Sequence, residues 1–255
     1  MILLRRILPV IGTIAVLGCY AGIIFQPLAW KQWIIALVIV VLFSLIYMHE
    51  WKWYSMQTWL SSFPLLVLLG GGTGMLFFVE GTPLRVTLIL ALSVIFGVFM
   101  ENMFTLHYQP AKYTSLSLPK LSVVFNIISA FFVFSTLFAF QLIELIPSWL
   151  ISVSALIFGG LYMAYLLRGF NVNAEKGRGM AIMVSIIFAE AITALHFLPS
   201  GFYVNGAFAA IMIYFLTSYF LMVAREAYTR RFFIELIVIS TVMLILIFAT
   251  AQWSY

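Results

Sequence analysis

Apolar residues run along this chain in blocks of about twenty, the length of a membrane span, with short polar breaks between them. The blocks cover residues 7–25, 32–48, 59–79, 84–105, 121–143, 148–167, 180–198, 203–223 and 232–250. At 1.5 Å per residue, about 20 helical residues cross a hydrocarbon core of about 30 Å. The pattern therefore predicts an all-α polytopic integral membrane protein with about nine transmembrane helices, built as a single helical membrane domain over residues 1–255. The block at 32–48 is short, and Trp30 and Trp51 flank it as interfacial anchors.

Helix breakers fall in the gaps. Gln26-Pro27 ends the first block, and Gly81-Thr82-Pro83 separates the third from the fourth. Pro110 and Pro119 bracket the longest polar loop, Ser148 after Pro147 is a candidate N-cap, and Pro199-Ser200-Gly201 reads as a tight turn. The connection at 224–231 has neither Pro nor Gly, so its helix is expected to run on past the membrane surface. The first block follows Arg5-Arg6 and is long enough for a retained span. Val16-Leu17-Gly18-Cys19 is only a faint lipoprotein cleavage box, with Leu17 out of place.

Composition agrees with the blocks. Hydrophobic residues make up 65% of the chain and charged residues 8%, against about 25% charged in an ordinary soluble domain. The formal charge of +5 would suggest a nucleic-acid partner in a soluble protein. Here the basic residues lie in short loops and report topology and anionic headgroups instead, so no nucleic-acid partner is expected. With the N-terminus inside, Lys31 and Arg85 are the only basic residues left outside. The positive-inside rule thus predicts an inside N-terminus and an outside C-terminus. The compact loops point to a prokaryotic cytoplasmic membrane. Partners should be membrane lipids, other membrane subunits or a second copy. Cys19 is the sole cysteine, so there is no intrachain disulfide and no cysteine zinc cluster.

An offset of 89 residues lays Gly70-Gly71 on Gly159-Gly160, Glu101 on Glu190, His107 on His196 and Pro110 on Pro199. Few other positions match. If real, this is a duplication of three-helix units, 32–110 and 121–199, in opposite orientations, as in the inverted repeats of many transporters.

Glu190 is the most informative polar residue, near the middle of the block at 180–198 in Ala189-Glu190-Ala191-Ile192-Thr193-Ala194. A carboxylate at the bilayer centre costs about 2.5–3.5 kcal/mol on insertion scales. It must face protein or water, find a partner, or carry its proton. Glu101 and Asn102 are second, with Thr105 and Tyr108 on the same helical face. The candidate substrate or proton site is therefore Glu190, Glu101, Asn102 and Thr193, and the alternative for each carboxyl is a hydrogen-bonded interface group. His49, Glu50 and His107 could form a polar cluster at the inner surface. His49-Glu50 begins like a zinc-protease helix but meets Trp53 where the second His belongs, so no metal site is assigned. His107 and His196 read as interfacial anchors. Glu226 with Arg230 and Arg231 with Glu235 are spaced for helical ion pairs. Glu80, Glu144 and Glu175 read as solvated. Gly18-x3-Gly22 and Gly70-x3-Gly74 are small-residue contact patterns, although the run at 70–74 could instead break its helix.

Absences filter the chemistry. The chain has no Asp, which excludes the Asp-rich magnesium motifs of membrane prenyltransferases and CDP-alcohol phosphotransferases, and intramembrane aspartyl proteases. No P-loop occurs, and no Lys lies deep in a block to carry a retinal Schiff base. No cofactor and no catalytic residue are assigned. Three functions stay open. One is a small proton-coupled transporter or carrier with an intramembrane glutamate site. Another is a non-catalytic membrane subunit or scaffold that binds partners through helix faces. The third is an enzyme acting on a lipid-linked substrate at the inner surface.

Overall fold

The computed structural model describes residues 2–48, 56–109, 117–198, 200–226 and 229–250. The described residues are all-α. The helices are α1 (Ile2–Phe25), α2 (Trp30–Met48), α3 (Met56–Met75), α4 (Thr82–Tyr108), α5 (Ser117–Leu142), α6 (Ser148–Gly169), α7 (Ala174–Leu195), α8 (Phe202–Ala224) and α9 (Arg230–Thr250). A 3-10 turn, Pro27–Ala29, joins α1 to α2. Among the described residues, seven segments are long and apolar enough to cross a membrane. They are 6–25, 27–48, 82–108, 120–142, 148–169, 175–195 and 202–224.

The contacts gather into two compact units. The first holds residues 1–69 and 79–121, the second residues 70–78 and 122–255. In the first unit α1 packs on α2 and α4. Glycines let the backbones approach. A Cβ at Gly12 would come within 3.0 Å of Phe96, one at Gly97 would strike Thr13, and one at Gly22 would strike the Trp33 ring. Trp33 is pinned there, its Nε1 donating to Gln26 Oε1 at 2.9 Å. Gly18 has no neighbour within 4 Å of its Cβ position, so only Gly22 of the Gly18-x3-Gly22 pattern makes a close contact. The Tyr108 hydroxyl donates to Met48 O at 3.2 Å. The C-termini of α2 and α4 therefore share one end.

In the second unit α7 packs on α6 and α8, and α8 on α9. Phe134 of α5 meets Phe158 of α6 and Phe188 of α7 edge-to-face, with centroids 5.6 and 5.2 Å apart. Cβ atoms at Gly159 and Gly160 would both come within 3.3 Å of α7 atoms at Ser185 or Phe188, and the Ser185 hydroxyl donates to Leu156 O. The run at 70–74 does not break α3, which continues to Met75. Its contact glycines are Gly71 and Gly74, which lie against Val133 and Thr136 of α5, while Gly70 is open. Of the glycines matched by the 89-residue offset, Gly71 packs on α5, whereas Gly159 and Gly160 pack on α7. The repeat gains no support from them.

The two ends of the second unit differ in charge. Lys176 Nζ meets Glu226 Oε1 at 3.0 Å, and Arg225 stacks over Phe170 at 5.2 Å, so the start of α7 and the end of α8 share one end. Arg168, Lys176, Arg178, Arg225, Arg230 and Arg231 all sit on the termini or loops of that end. The opposite end gathers the C-termini of α5 and α7 and the N-termini of α6 and α8. No Lys or Arg of this unit lies there.

Two local expectations are corrected. Helix α8 stops at Ala224, and Glu226 takes a left-handed conformation (φ 55°). It is off the helix and pairs with Lys176 instead of Arg230. The Arg231–Glu235 pair does form, at 2.9 Å. Pro147 is the N-cap of α6, and Ser148 is its first residue.

Candidate functional site

Glu190 lies nearer the end of its helix than the sequence implied. Helix α7 stops at Leu195, five residues on, or about 8 Å along the axis. Glu190 is exposed, in a stripe with exposed Ile182, Met183, Ile186 and Ile187. The stripe points away from the packed face of α7, where Val184, Phe188 and Ile192 are fully buried. Helical Cα–Cβ bonds tilt toward the N-terminus, so the Glu190 side chain leans toward the start of α7 and away from its nearer end. Among the described residues it has no hydrogen-bond or ion-pair partner. Thr193, grouped with it by sequence, serves the α6–α7 seam. It is hydrogen-bonded to Ser152 Oγ at 2.7 Å and back-bonded to Ala189 O at 2.7 Å.

Glu101 repeats this geometry within the first unit. It is exposed seven residues before the end of α4, below exposed Leu90, Val94 and Val98. Asn102 Nδ2 donates to Val98 O at 2.8 Å, and Thr105 Oγ1 to Glu101 O at 2.9 Å. His107 Nδ1 sits 2.9 Å from Met103 O on its own helix. His49 and Glu50, the other members of the expected inner-surface cluster, lie outside the described residues. Among the described residues no three His, Cys, Asp or Glu gather as metal ligands.

A polar pocket that the sequence did not announce opens at the end of the second unit that lacks basic residues. Its volume is about 350 Å³, and its polar lining is Gln141, Glu144, His196, Ser200 and Asn205, with Phe138 and Phe202 as aromatic walls. Buried Asn205 accepts a hydrogen bond from the Ser200 hydroxyl at 2.6 Å. Gln141 Nε2 donates to Ser148 Oγ at 3.0 Å, and His196 Nε2 lies 3.1 Å from Ser148 O. These bonds tie three helix ends around the pocket. A separate cleft of about 650 Å³ lies between α5, α8 and α9. It is lined by apolar residues such as Ile127, Phe131 and Ile211, with Tyr214 adding a hydroxyl. Glu190 lines neither space.

A third polar feature is buried. Ser122, Asn126 and Ser129 share one face of α5 and are wholly buried. Ser122 Oγ is 2.6 Å from the Tyr165 hydroxyl, Ser129 back-bonds to Phe125 O, and the Tyr162 hydroxyl lies among Asn126 and Thr217. Neither amide atom of Asn126 has a partner at hydrogen-bonding geometry. An unsatisfied buried polar group costs about 1–3 kcal/mol. Asn126→Leu, nearly isosteric, is therefore expected to leave the melting temperature unchanged or raise it in a detergent thermal scan. A large drop would show that Asn126 is bonded in the folded protein.

Fold and polar features together define a multi-pass α-helical membrane protein. Comparison with protein-family models, curated proteins and solved structures finds no match to this chain.

Proposed function

We propose that the chain is a non-catalytic membrane subunit that docks on another transmembrane protein through the α7 face bearing Glu190. It sits with its N-terminus inside and all nine helices spanning, α3 and α9 included. The observation that carries this is the outward carboxylate in a stripe of exposed Ile and Met. Lipid tails offer a carboxylate no hydrogen bond, and its desolvation is offset only by a partner group at the same depth. The partner is a helix that presents Lys, Arg or another hydrogen-bond donor there. A proton-coupled carrier would instead aim Glu190 into a water-filled space between helices, and Glu190 lines neither cavity described. The crowding of basic residues at one end of the second unit supports the orientation.

The test places a photo-crosslinking residue at Ile187 and, as control, at Val124 on exposed α5, in native membranes. A discrete protein adduct from position 187 that disappears with Glu190→Leu supports docking. Lipid adducts alone from position 187 would sink it.

A further inference from the structure

We propose that the pocket at the ends of α5 to α8 binds an ammonium group, carried either by a lipid headgroup or by a free small amine. This stands apart from the docking reading, because it uses none of the Glu190 face.

The argument starts from what the pocket lacks. Glu144 lines it and, among the described residues, has no hydrogen-bond or ion-pair partner for its carboxylate. All the basic residues of this unit lie at its other end. Within this unit, the exposed Glu144 carboxylate therefore has no Lys or Arg beside it.

His196 lines the pocket beside it. Its Nε2 lies against a carbonyl, Ser148 O, which can only accept, so Nε2 carries the proton. In the neutral ring Nδ1 is then a bare acceptor. It has no partner and is fully buried, out of reach of a ligand in the pocket. Gln141 spends its amide N–H on Ser148, which leaves its oxygen as a further acceptor. Carboxylate and amide oxygen are both acceptors, and the Phe138 and Phe202 rings wall the pocket. The set matches a compact cation with N–H donors. An anion would meet Glu144 directly. A metal would find only one carboxylate and one imidazole, short of a protein-built site.

Backbone geometry points the same way. Glu144 has φ 58° just beyond α5, where its N–H bonds Gln141 O at 2.9 Å and the next N–H bonds Phe140 O at 2.9 Å. This is the helix-ending turn in which glycine is the favoured residue. Asn171 fills the comparable turn after α6 at φ 57°, and Asn tolerates it. A glutamate there is a strained choice that puts a carboxylate on the pocket rim. About 350 Å³ is at the small end of ligand sites, suited to a headgroup or a small amine.

The test uses the purified full-length chain in detergent. One arm reads retained lipid by native mass spectrometry during titration with phosphatidylethanolamine or phosphatidylglycerol. A second reads the melting temperature against ethanolamine hydrochloride, with sodium chloride as the ionic control. At least tenfold preferential retention of the ethanolamine lipid, lost in Glu144→Gln and Glu144→Gly, identifies a headgroup site. A melting shift with ethanolamine that both variants abolish identifies a free-amine site. Glu144→Gly should also melt higher than the parent, because glycine relieves the left-handed strain, which separates a lost site from a damaged fold. Equal retention of both lipids with no ethanolamine effect overturns the proposal. So does binding that survives in Glu144→Gly.

Discussion

Gly206→Val is expected to dismantle the second unit, while Gly18→Val leaves the protein folded. A Cβ on Gly206 would land on the Ser135 side chain and come within 2.8 Å of the Phe131 carbonyl oxygen. The hydroxyl can rotate away, but the backbone carbonyl is held in helix α5 and cannot. Gly206 and Ser135 are both buried, so no space exists to absorb the shift. Overpacking typically costs about 1–3 kcal/mol and more when backbone must move. Branched Val methyls add to the clash, so a cost at or above about 3 kcal/mol follows. That is a large share of a domain's total of about 5–15 kcal/mol. Gly18 sits in the same kind of helix with nothing within 4 Å, and replacing it removes only a flexible residue from a helix interior. Thermal scanning by size-exclusion in detergent reads both. Equal melting of Gly206→Val and parent would mean that α5 and α8 do not pack as described.

The second large effect is on assembly. Glu190→Lys is expected to release the partner more completely than Glu190→Gln. Gln keeps the shape and a hydrogen-bonding carbonyl, so part of the contact survives. Lys would set like charge against a cationic partner, and repulsion at an unscreened depth costs several kcal/mol. A reduction of at least 100-fold in co-purified partner follows for Lys, since about 1.4 kcal/mol is a factor of ten. Glu190 is exposed in the chain itself, so neither change should alter its own melting temperature. A fall in melting temperature as large as that of Gly206→Val would make Glu190 a packing residue of this chain, against the account.

The helices were legible in the sequence because hydropathy reads depth in a membrane directly. Faces were not. Helices such as α8 are apolar all round, since lipid and protein core are equally apolar, so periodicity does not mark their outer side. The spacing Gly18-x3-Gly22 marked a common face, but only the arrival of Trp33 at Gly22 makes a contact. Thr193 looked like a companion of Glu190, yet its hydroxyl turns to Ser152 across the helix seam. Glu144 is exposed, as its loop position implied, but nothing in Gln141-Leu142-Ile143-Glu144 signals the left-handed turn that sets it on the pocket rim. The signal that could have found the pocket was charge asymmetry. His196, Ser200 and Glu144 all fall in loops without a Lys or Arg.

The most direct measurement is the protein mass of the particle released from native membranes by a copolymer, without detergent exchange. The account predicts one copy of this chain plus a second, different polypeptide, with Glu190→Leu reducing the mass to the single chain. A parent particle already at the mass of one chain would contradict it.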